Sequence, residues 1–518
     1  MTLFFERFPK YLLPSHEWQA KPLHSAPWKK TDLTHVDLLY VFGLGDGSFY
    51  THHKEWLHEN PTRRLVFFEE DPGIVAALLE QGTGLFDDPQ VDFELLEADT
   101  LDRFALKYPV SKIKVLLTPG SDPIRFRKHK LALMRKTALS SALFTDRLHG
   151  FQLFRNFVQN VPRFQGGFYA NGLKNAFQGM TAIVCGAGPS LQKDIPILRE
   201  LEKKALIIAG GSAVAALTAA GIQPHFGVAV DPNEEEYHRF RNSFFFEGPL
   251  LLSTRVCPAI FNTCNGPFGY IRSGTGGPAE LWLEEKLGLT DPLMPVDMPE
   301  ESMSVMTLAL AWAEHIGCDR IVLTGVDLAY TGSKRYAPGI WSEKKNGIET
   351  PQNAADQLVR RKGKNGQYLQ TAVRWVMEAA SIAEFAKKRP HIHWVNATDG
   401  GLPIAGLKEQ SLATIQMPAS QDLRGKIARE IALHPMSKIP GDILAPLQES
   451  IARTIHHLEI LAGEREGSKA LAECDLEEEL AAQVLLRGVP DLLERSELLG
   501  IAKSHWALYL DIVRSYIY

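Results

Sequence analysis

The sequence contains little cysteine, and its charges are close to balance. Five cysteines lie far apart among 518 residues, in an odd number and in no C-x-x-C pair. This pattern argues against a disulfide scaffold and a structural zinc site, and it favours a reducing compartment. Lys and Arg number 56 against 61 Asp and Glu, a net charge of −5. No overall basic field is therefore expected to attract nucleic acid or an anionic membrane.

The sequence also lacks a long uninterrupted apolar run. The longest weakly polar stretch, residues 205–222, contains Gly210, Gly211 and Ser212. A strand, a turn and a buried helix explain it better than a membrane span does. Glu6 and Arg7 fall where a secretory signal would be apolar, so we expect no signal peptide. Together with the cysteine pattern, these features predict a cytoplasmic protein.

Several catalytic motifs are absent. The sequence has no G-x-x-x-x-G-K-[ST], no G-x-S-x-G, no H-E-x-x-H and no D-x-D. These absences argue against a P-loop nucleotidase, a nucleophile-elbow hydrolase and a zincin. The missing D-x-D disfavours a transferase that needs Mg²⁺ to hold a diphosphate leaving group.

The first 150 residues alternate apolar and amphipathic runs, as βαβ units do. Strands are predicted at 37–42, 64–68 and 113–117. Gly43-x-Gly45-x-Gly47 with Glu69 and Glu70 downstream resembles the nucleotide-binding arrangement of Rossmann proteins. A tight turn followed by solvated acids explains the same residues equally well.

A second set of strands is predicted at 181–185, 205–208, 226–230, 320–324 and 391–395, with a helix over 304–316. Four of these strands end in small or polar residues: Gly186-Ala-Gly-Pro-Ser190, Gly210-Gly-Ser212, Asp231-Pro-Asn233 and Gly325-Val-Asp327. Ligands of open parallel sheets bind outside the carboxyl ends of the strands. The four endings therefore predict one pocket.

Individual residues of this predicted pocket have two readings each. Ser190 and Ser212 fall where helices begin, so each is either an N-cap or part of a phosphate site. Asp231, Asp327 and Asn396 suit sugar hydroxyls or acid–base chemistry, and a turn residue is the alternative.

Helical periodicity replaces this pattern beyond about residue 417. Leu444, Leu447, Ile451, Ile455 and Leu458 recur every three or four residues, which is typical of an amphipathic helix. The sequence thus predicts an α/β protein with two Rossmann-like parallel-sheet domains, 1–150 and 151–418, followed by a helical C-terminal domain, 419–518. The last domain suits partner binding or self-association as readily as covering the sheet.

The central motifs follow one another in a specific order. They are Gly186-Ala-Gly-Pro-Ser-Leu191, Ala209-Gly-Gly-Ser212, Ile222-x-Pro224 with Val230-Asp-Pro232, Gly317-Cys-Asp319 with Ile321-Val-Leu-Thr-Gly-Val-Asp-Leu-Ala-Tyr330, and Asn396-Ala-Thr-Asp-Gly-Gly401. This series resembles the motility accessory factor (Maf) proteins, which share a domain named after the archaeal 6-hydroxymethylpterin diphosphokinase (MptE-like). The resemblance covers about residues 160–418, and the flanking regions look similar too.

The resemblance implies a glycosyltransferase with a sialyltransferase-like central domain. Family members transfer nonulosonic acids from CMP-activated donors to Ser or Thr of flagellin in the cytoplasm. CMP leaves as a monophosphate, in agreement with the missing D-x-D. The implied partners are a nucleotide-sugar donor and a protein acceptor. No cofactor, metal, nucleic acid or membrane span is implied, and self-association stays open.

The resemblance also implies roles for residues of this chain. Gly186, Gly188, Pro189 and Ser190 would hold the donor phosphate, Ser212 and Asp231 would line the nucleotide pocket, and Asp327 with Tyr330 would face the sugar. Gly211, Thr275, Ser304, Asn396 and Thr398 complete the candidate donor-binding set. The hypothesis is an inverting displacement in which Asp231 or Asp327 accepts the acceptor proton, while N–H groups of residues 188–191 steady departing CMP.

Two departures and three alternatives accompany this hypothesis. Met303-Ser-Val305 stands where many members have Gly-Ser-Val, and Tyr336 where many have histidine, so the sugar or acceptor is open. The alternatives are a diphosphokinase that moves pyrophosphate from ATP to a pterin alcohol, a non-catalytic assembly factor, and a methyltransferase that uses the first glycine loop with Glu69 or Glu70.

Overall fold

The structure, a computed structural model, describes residues 2–25, 31, 33, 36–97, 99–108, 112–119, 123–148, 150–298, 304–340 and 358–447. The chain divides into two compact units. The first contains Met1–Phe144, Asn353–Val359 and Ala372–Arg374, and the second contains Thr145–Gln352, Arg360–Thr371 and Trp375–Tyr518.

The first unit is built on a parallel sheet. Among the described residues its strands are β1 (Leu38–Phe42), β2 (Arg64–Glu69), β3 (Val91–Leu95) and β4 (Ile113–Leu117), in the order β3-β2-β1-β4. Its helices are α1 (Thr2–Arg7), α2 (Ser48–His58), α3 (Pro72–Gln81), α4 (Thr100–Lys107) and most of α5 (Pro123–Leu148). This is the strand order of half a Rossmann fold.

Glu69 stabilises the glycine turn of this first sheet. Its Oε2 accepts a hydrogen bond from the Leu44 N–H at 2.8 Å, and its Oε1 accepts from the N–H groups of Glu70 at 2.8 Å and Asp71 at 3.1 Å. Thr118, at the end of β4, donates its hydroxyl to the Gly43 carbonyl. Both oxygens of Glu69 are thus engaged by backbone groups, so one of the two acids in the predicted nucleotide-like arrangement has a structural role here.

The second unit is built on a larger sheet. Its strands are β5 (Phe168–Tyr169), β6 (Thr181–Cys185), β7 (Leu206–Gly210), β8 (Phe226–Ala229), β9 (Leu250–Leu252), β10 (Phe268–Tyr270), β11 (Arg320–Thr324), β14 (His393–Asn396) and β15 (Lys408–Glu409), while β12 (Leu358–Lys362) and β13 (Tyr368–Ala372) pair separately. Its helices are α6 (Gly150–Asn160), α7 (Leu191–Leu201), α8 (Gly211–Ala219), α9 (Glu234–Arg241), α10 (Gly277–Leu287), α11 (Val305–His315), α12 (Val373–Lys387) and α13 (Leu423–Leu433).

The order of this sheet, within the described residues, is β15-β14-β11-β6-β7-β8-β9-β10-β5, and all its neighbours are parallel. The chain proceeds from β6 towards β10 on one side and returns at β11 on the other. The point between β6 and β11 is therefore a topological switch point, where ligands of open α/β sheets bind.

Side chains on both faces of the sheet are buried. Ile183 and Cys185 of β6 join one apolar cluster with α7 and α8, whereas Ala182 and Val184 join another with α11 and α12. Trp312 of α11 is completely buried and meets the Phe226 ring edge-on at 4.4 Å. Burial on both faces explains why these strands are continuous apolar runs without alternation.

The predicted α/β class with two parallel sheets is confirmed. Seven strands in the described ranges were missed. β5, β9, β10 and β15 have only two or three residues, too few for a recognisable pattern. β12 and β13 pair only with each other, outside the two main sheets. β3 carries Asp92 and Glu94, which are buried because Lys107 and Lys10 pair with them. The periodic helix predicted around 444–458 lies mostly outside the described residues.

The basic stretch 125–163, which the sequence also predicts to be helical, is largely covered by α5 and α6. No helix in the described ranges combines the length and the apolar character that a membrane crossing requires.

Candidate functional site

The loops that follow β6 and β11 are in direct contact at the switch point. The N–H groups of Gly186 and Gly188 donate to the carbonyls of Thr324 and Gly325, each at 2.8 Å. A Cβ on Gly188 would lie 2.1 Å from Asp327 Oδ1 and 2.7 Å from the Gly325 carbonyl oxygen. Only glycine permits an approach this close.

Hydrogen bonds inside this contact occupy most of the N–H groups that were predicted to hold phosphate. Those of Ser190 and Leu191 donate to Asp327 Oδ1 at 3.4 Å and to the Gly188 carbonyl at 3.1 Å. Pro189 has no N–H to offer. Between residues 186 and 191, only the N–H of Ala187 makes no hydrogen bond to a described group. The glycine loop thus serves chiefly to join two strand ends.

Asp327 is buried within this contact, with 2% of its surface exposed. Ser190 begins α7 but does not cap it; its hydroxyl donates to Asp327 Oδ1 at 2.5 Å. Burial raises the pKa of Asp327, and hydrogen bonds from Ser190 and Thr331 oppose that rise. The geometry gives Asp327 the role of a positioning residue for the two loops.

Asn396 and Thr398 support the same contact from β14. The Thr398 hydroxyl accepts the Val326 N–H at 3.1 Å, and Asn396 Oδ1 accepts the Thr398 N–H at 3.2 Å. Both residues are at most 2% exposed. Tyr330 is 3% exposed, and its N–H donates to the Gln370 carbonyl at 2.9 Å. These three predicted donor-binding residues are therefore buried behind the loops.

An open helix N-terminus lies at the neighbouring strand end. Helix α8 begins at Gly211, directly after β7, and no side chain caps it. Ser212 is half-buried in its first turn. The first N–H groups of a helix have no partner within the helix, and its dipole favours an anion there. Gly211 and Ser212 therefore provide the anion-binding geometry that the β6 loop does not.

Asp231, Glu236 and Arg239 lie beside this N-terminus. Glu236 Oε2 accepts the Asp231 N–H at 2.7 Å, and its Cγ lies 3.5 Å from the position of a Cβ on Gly211. Arg239 Cδ lies 3.6 Å from the same position. Burial, and then the charge of Asp231, raise the pKa of Glu236. Asp231 itself is exposed and hence accessible to a substrate.

The sequence analysis missed Glu236 and Arg239. Both belong to a run of charged residues that reads as a solvated helix face. Their proximity to Gly211 depends on the packing of α9 against α8, and local sequence patterns do not predict this packing.

Ser304 adjoins the same strand end through Val305, whose Cγ1 would be 2.2 Å from a Cβ on Gly210. Its hydroxyl accepts the Thr307 N–H at 3.1 Å and donates to Glu378 Oε1 at 2.6 Å. Helix α11 thus begins with a capping box. Ser304 is a helix cap in this structure, unlike the open start of α8.

Thr275 lies apart from the other predicted residues. It follows β10, four strand positions from β6, which corresponds to about 19 Å at the usual strand spacing. Its hydroxyl pairs with Ser273 at 2.7 Å. Nearby Glu280 accepts the Thr254 hydroxyl at 2.5 Å and is 1% exposed. This strand end therefore forms a separate buried polar cluster.

A cavity of about 920 Å³ lies elsewhere, against Arg320 and His393, the first residues of β11 and β14. Functional sites of such sheets lie at the opposite, carboxyl ends, so we do not assign the site to this cavity. Within the described ranges, no group of three His, Cys, Asp or Glu is placed to hold a metal ion.

We predict that Gly188→Ala destabilises the protein by about 1–3 kcal/mol, because the added methyl group overpacks a closed contact. Urea unfolding would measure the change. Gly441→Ala is the control, since a Cβ there meets no atom within 4 Å. Equal stability of the two variants would contradict the close contact described above.

We predict that Glu280 makes the protein less stable at high pH. Burial raises the pKa of Glu280 from 4.5 to about 7, so the folded protein binds the proton more tightly than the unfolded chain. This contribution is fully present below the unfolded pKa and is lost as the pH rises through the folded pKa. As the pH rises from the unfolded pKa to the folded pKa, the free energy of unfolding should fall less in Glu280→Gln than in the wild type. The exposed Glu285→Gln should match the wild type, and an unchanged slope in Glu280→Gln would refute the assignment.

Comparisons with known proteins agree with part of the sequence prediction. Residues 155–333 match the family model "6-hydroxymethylpterin diphosphokinase MptE-like". No curated protein sequence matches the chain. Among solved structures, a similar one is described as "Structure of MAf glycosyltransferase from Magnetospirillum magneticum AMB-1", with 15% identity, a TM-score of 0.47, and coverage of 100% of this chain and 82% of that chain. The match over residues 155–333 agrees with the predicted MptE-like domain.

Proposed function

We propose that the protein is a glycosyltransferase that moves a nonulosonic sugar from a CMP-activated donor to Ser or Thr hydroxyls of a protein such as flagellin. The observation that carries this proposal is the open N-terminus of α8 beside Arg239 and the exposed Asp231. An anion site and an accessible carboxylate at adjacent strand ends suit a phosphate leaving group and an acceptor proton. The motif series shared with Maf proteins supplies the sugar class.

The donor phosphate is assigned to the first turn of α8. Gly211 and Ser212 offer N–H groups, and Arg239 offers a guanidinium with fork geometry for phosphate oxygens. When CMP departs, negative charge grows on its phosphate oxygen. Fixed N–H dipoles and a cation stabilise such a charge without reorganising. The β6 loop contributes by holding the strand ends in place.

The acceptor proton is assigned to Asp231. Between the two predicted acids, only Asp231 is exposed. Its carboxylate would accept the proton of the attacking Ser or Thr hydroxyl as the new glycosidic bond forms and the bond from the anomeric carbon to the phosphate oxygen breaks. Attack from the face opposite to the leaving group inverts the anomeric centre.

Titration calorimetry with CMP, CDP, ATP and S-adenosylmethionine would test the ligand class. CMP should bind, and Arg239→Ala should weaken its binding by about tenfold, the usual loss for a hydrogen bond to a charged group. Arg241→Ala, on the same helix, is the matched control and should bind CMP normally. If Arg239→Ala binds CMP as tightly as the control, the phosphate is held elsewhere.

Transfer assays would test Asp231. Asp231→Asn should lower kcat by about 10²–10⁴-fold, the range for loss of a general base, and leave CMP affinity intact. The exposed Asp442→Asn should retain full activity. Undiminished transfer by Asp231→Asn would exclude this residue as the base.

A pyrophosphoryl transferase is a second candidate, favoured by the diphosphokinase for which the matching family is named. Such an enzyme would bind ATP, consume it in a Mg²⁺-dependent reaction and release AMP. An EDTA-insensitive reaction that releases CMP would exclude it. If none of the four ligands binds, the protein is better explained as an assembly factor.

A further inference from the structure

A hairpin formed by β12 and β13 is attached to the loop that carries Asp327. The Gln370 carbonyl accepts the Tyr330 N–H at 2.9 Å, and the Thr371 hydroxyl donates to the Leu328 carbonyl at 2.6 Å. Leu369 is 9% exposed and packs with Ala329 and Leu402. One face of the hairpin is therefore fixed on the loop that follows β11, at the same carboxyl edge of the sheet as the candidate site.

The other face of the hairpin is exposed, basic and partly aromatic. Arg360, Lys362, Tyr368 and Gln370 are all exposed, as expected for alternate residues of two strands. Tyr368 is 66% exposed, and the Arg360 guanidinium lies 5.3 Å from its ring centroid. Such a pair forms a flat platform with a fixed positive charge.

The cations of this face have no partner of opposite charge in the part of the chain that the structure describes. No carboxylate within the described ranges pairs with Arg360 or Lys362, and residues 358–372 contain no Asp or Glu. In contrast, Lys364 at the turn pairs with Glu409, and Lys193 near the same loops pairs with Asp399. In a chain of net charge −5, this is a local positive surface.

We propose that this face, formed by Arg360, Lys362 and Tyr368, binds an acidic, extended segment of the acceptor protein at the same carboxyl edge of the sheet as the transfer site; the proposal rests on the proposed function. Arg360 and Lys362 are two residues apart on one strand, a spacing of about 6.6 Å. An extended peptide presents alternate side chains at the same spacing, so acidic residues flanking a Ser or Thr would match both cations. This match would hold the Ser or Thr hydroxyl near the loops. Arg360 and Lys362 would contact only the acceptor peptide and not the sugar donor.

Fluorescence anisotropy on the full chain tests the proposal with a defined probe. The probe is a labelled peptide in which Glu alternates with Ser and Thr, and the reference peptide has Gln for every Glu. The Glu peptide should bind more tightly, and its affinity should fall as salt rises. The double variant R360E/K362E should lose about tenfold or more in affinity, because rim charges of reversed sign repel the partner.

Matched controls make the result specific. K286E/K387E changes the same number of charges on the exposed surfaces of α10 and α12 and should bind the Glu peptide as the wild type does. Equal binding of the Glu and Gln peptides, or equal loss in both double variants, overturns the proposal. Preferential capture of duplex DNA or anionic lipid vesicles over the Glu peptide overturns it as well.

CMP titration of the same samples separates the two proposals. If R360E/K362E binds CMP normally and loses only the peptide, both proposals stand. Normal CMP binding with no peptide binding refutes the surface alone. Peptide binding without CMP binding by the wild type refutes the proposed donor and leaves an acidic-peptide surface.

Discussion

The contact between the β6 and β11 loops is the constraint on which the candidate site depends. Gly186 and Gly188 permit two backbone segments to touch, and Ser190 and Asp327 join them through their side chains. Because these hydrogen bonds occupy most of the N–H groups of the β6 loop, that loop has few donors left to offer a ligand. Anion binding is consequently assigned to the next strand end, where α8 begins without a cap. The fixed contact between the β6 and β11 loops would support a precisely positioned site at the neighbouring start of α8.

Burial organises the electrostatics around this centre. Desolvation raises the pKa of Asp327, Asp194 and Glu236, so these acids hold their protons more readily than solvated ones do. The exposed Asp231 and the half-buried Arg239 are the nearby groups that the proposed function assigns to a substrate. The buried carboxyl groups thus hold loops and helix starts in place, whereas the proposed general base is an exposed carboxylate. The anion-binding surfaces proposed above are local, since the chain as a whole has a net charge of −5.

In the first unit, neighbouring side chains bond to the backbone of the glycine-rich strand end. Its β1 loop resembles a Rossmann turn, yet Glu69 and Thr118 bond to the backbone of that turn. The turn of the second unit is similarly occupied by its own neighbours. In the second unit Gly186 and Gly188 bring two backbones together, whereas in the first unit Gly43, Gly45 and Gly47 adopt the positive φ that glycine permits. Whether such a turn binds a ligand depends on which of its backbone N–H groups have no hydrogen-bond partner within the protein.

The sequence by itself determined the fold class and the positions of the longer strands. Apolar runs such as 181–185 and 320–324 are buried on both faces, so the local sequence is sufficient to identify them as strands. It also placed small and polar residues at the right strand ends. Only the tertiary structure decided which of them are accessible. Ser190 and Asp327 are 137 positions apart, and their pairing follows from β6 lying beside β11. Likewise, Arg239 reaches Gly211 only because α9 packs on α8. Hydrogen-bond partners and burial are properties of such long-range neighbours, and local patterns carry no signal for them.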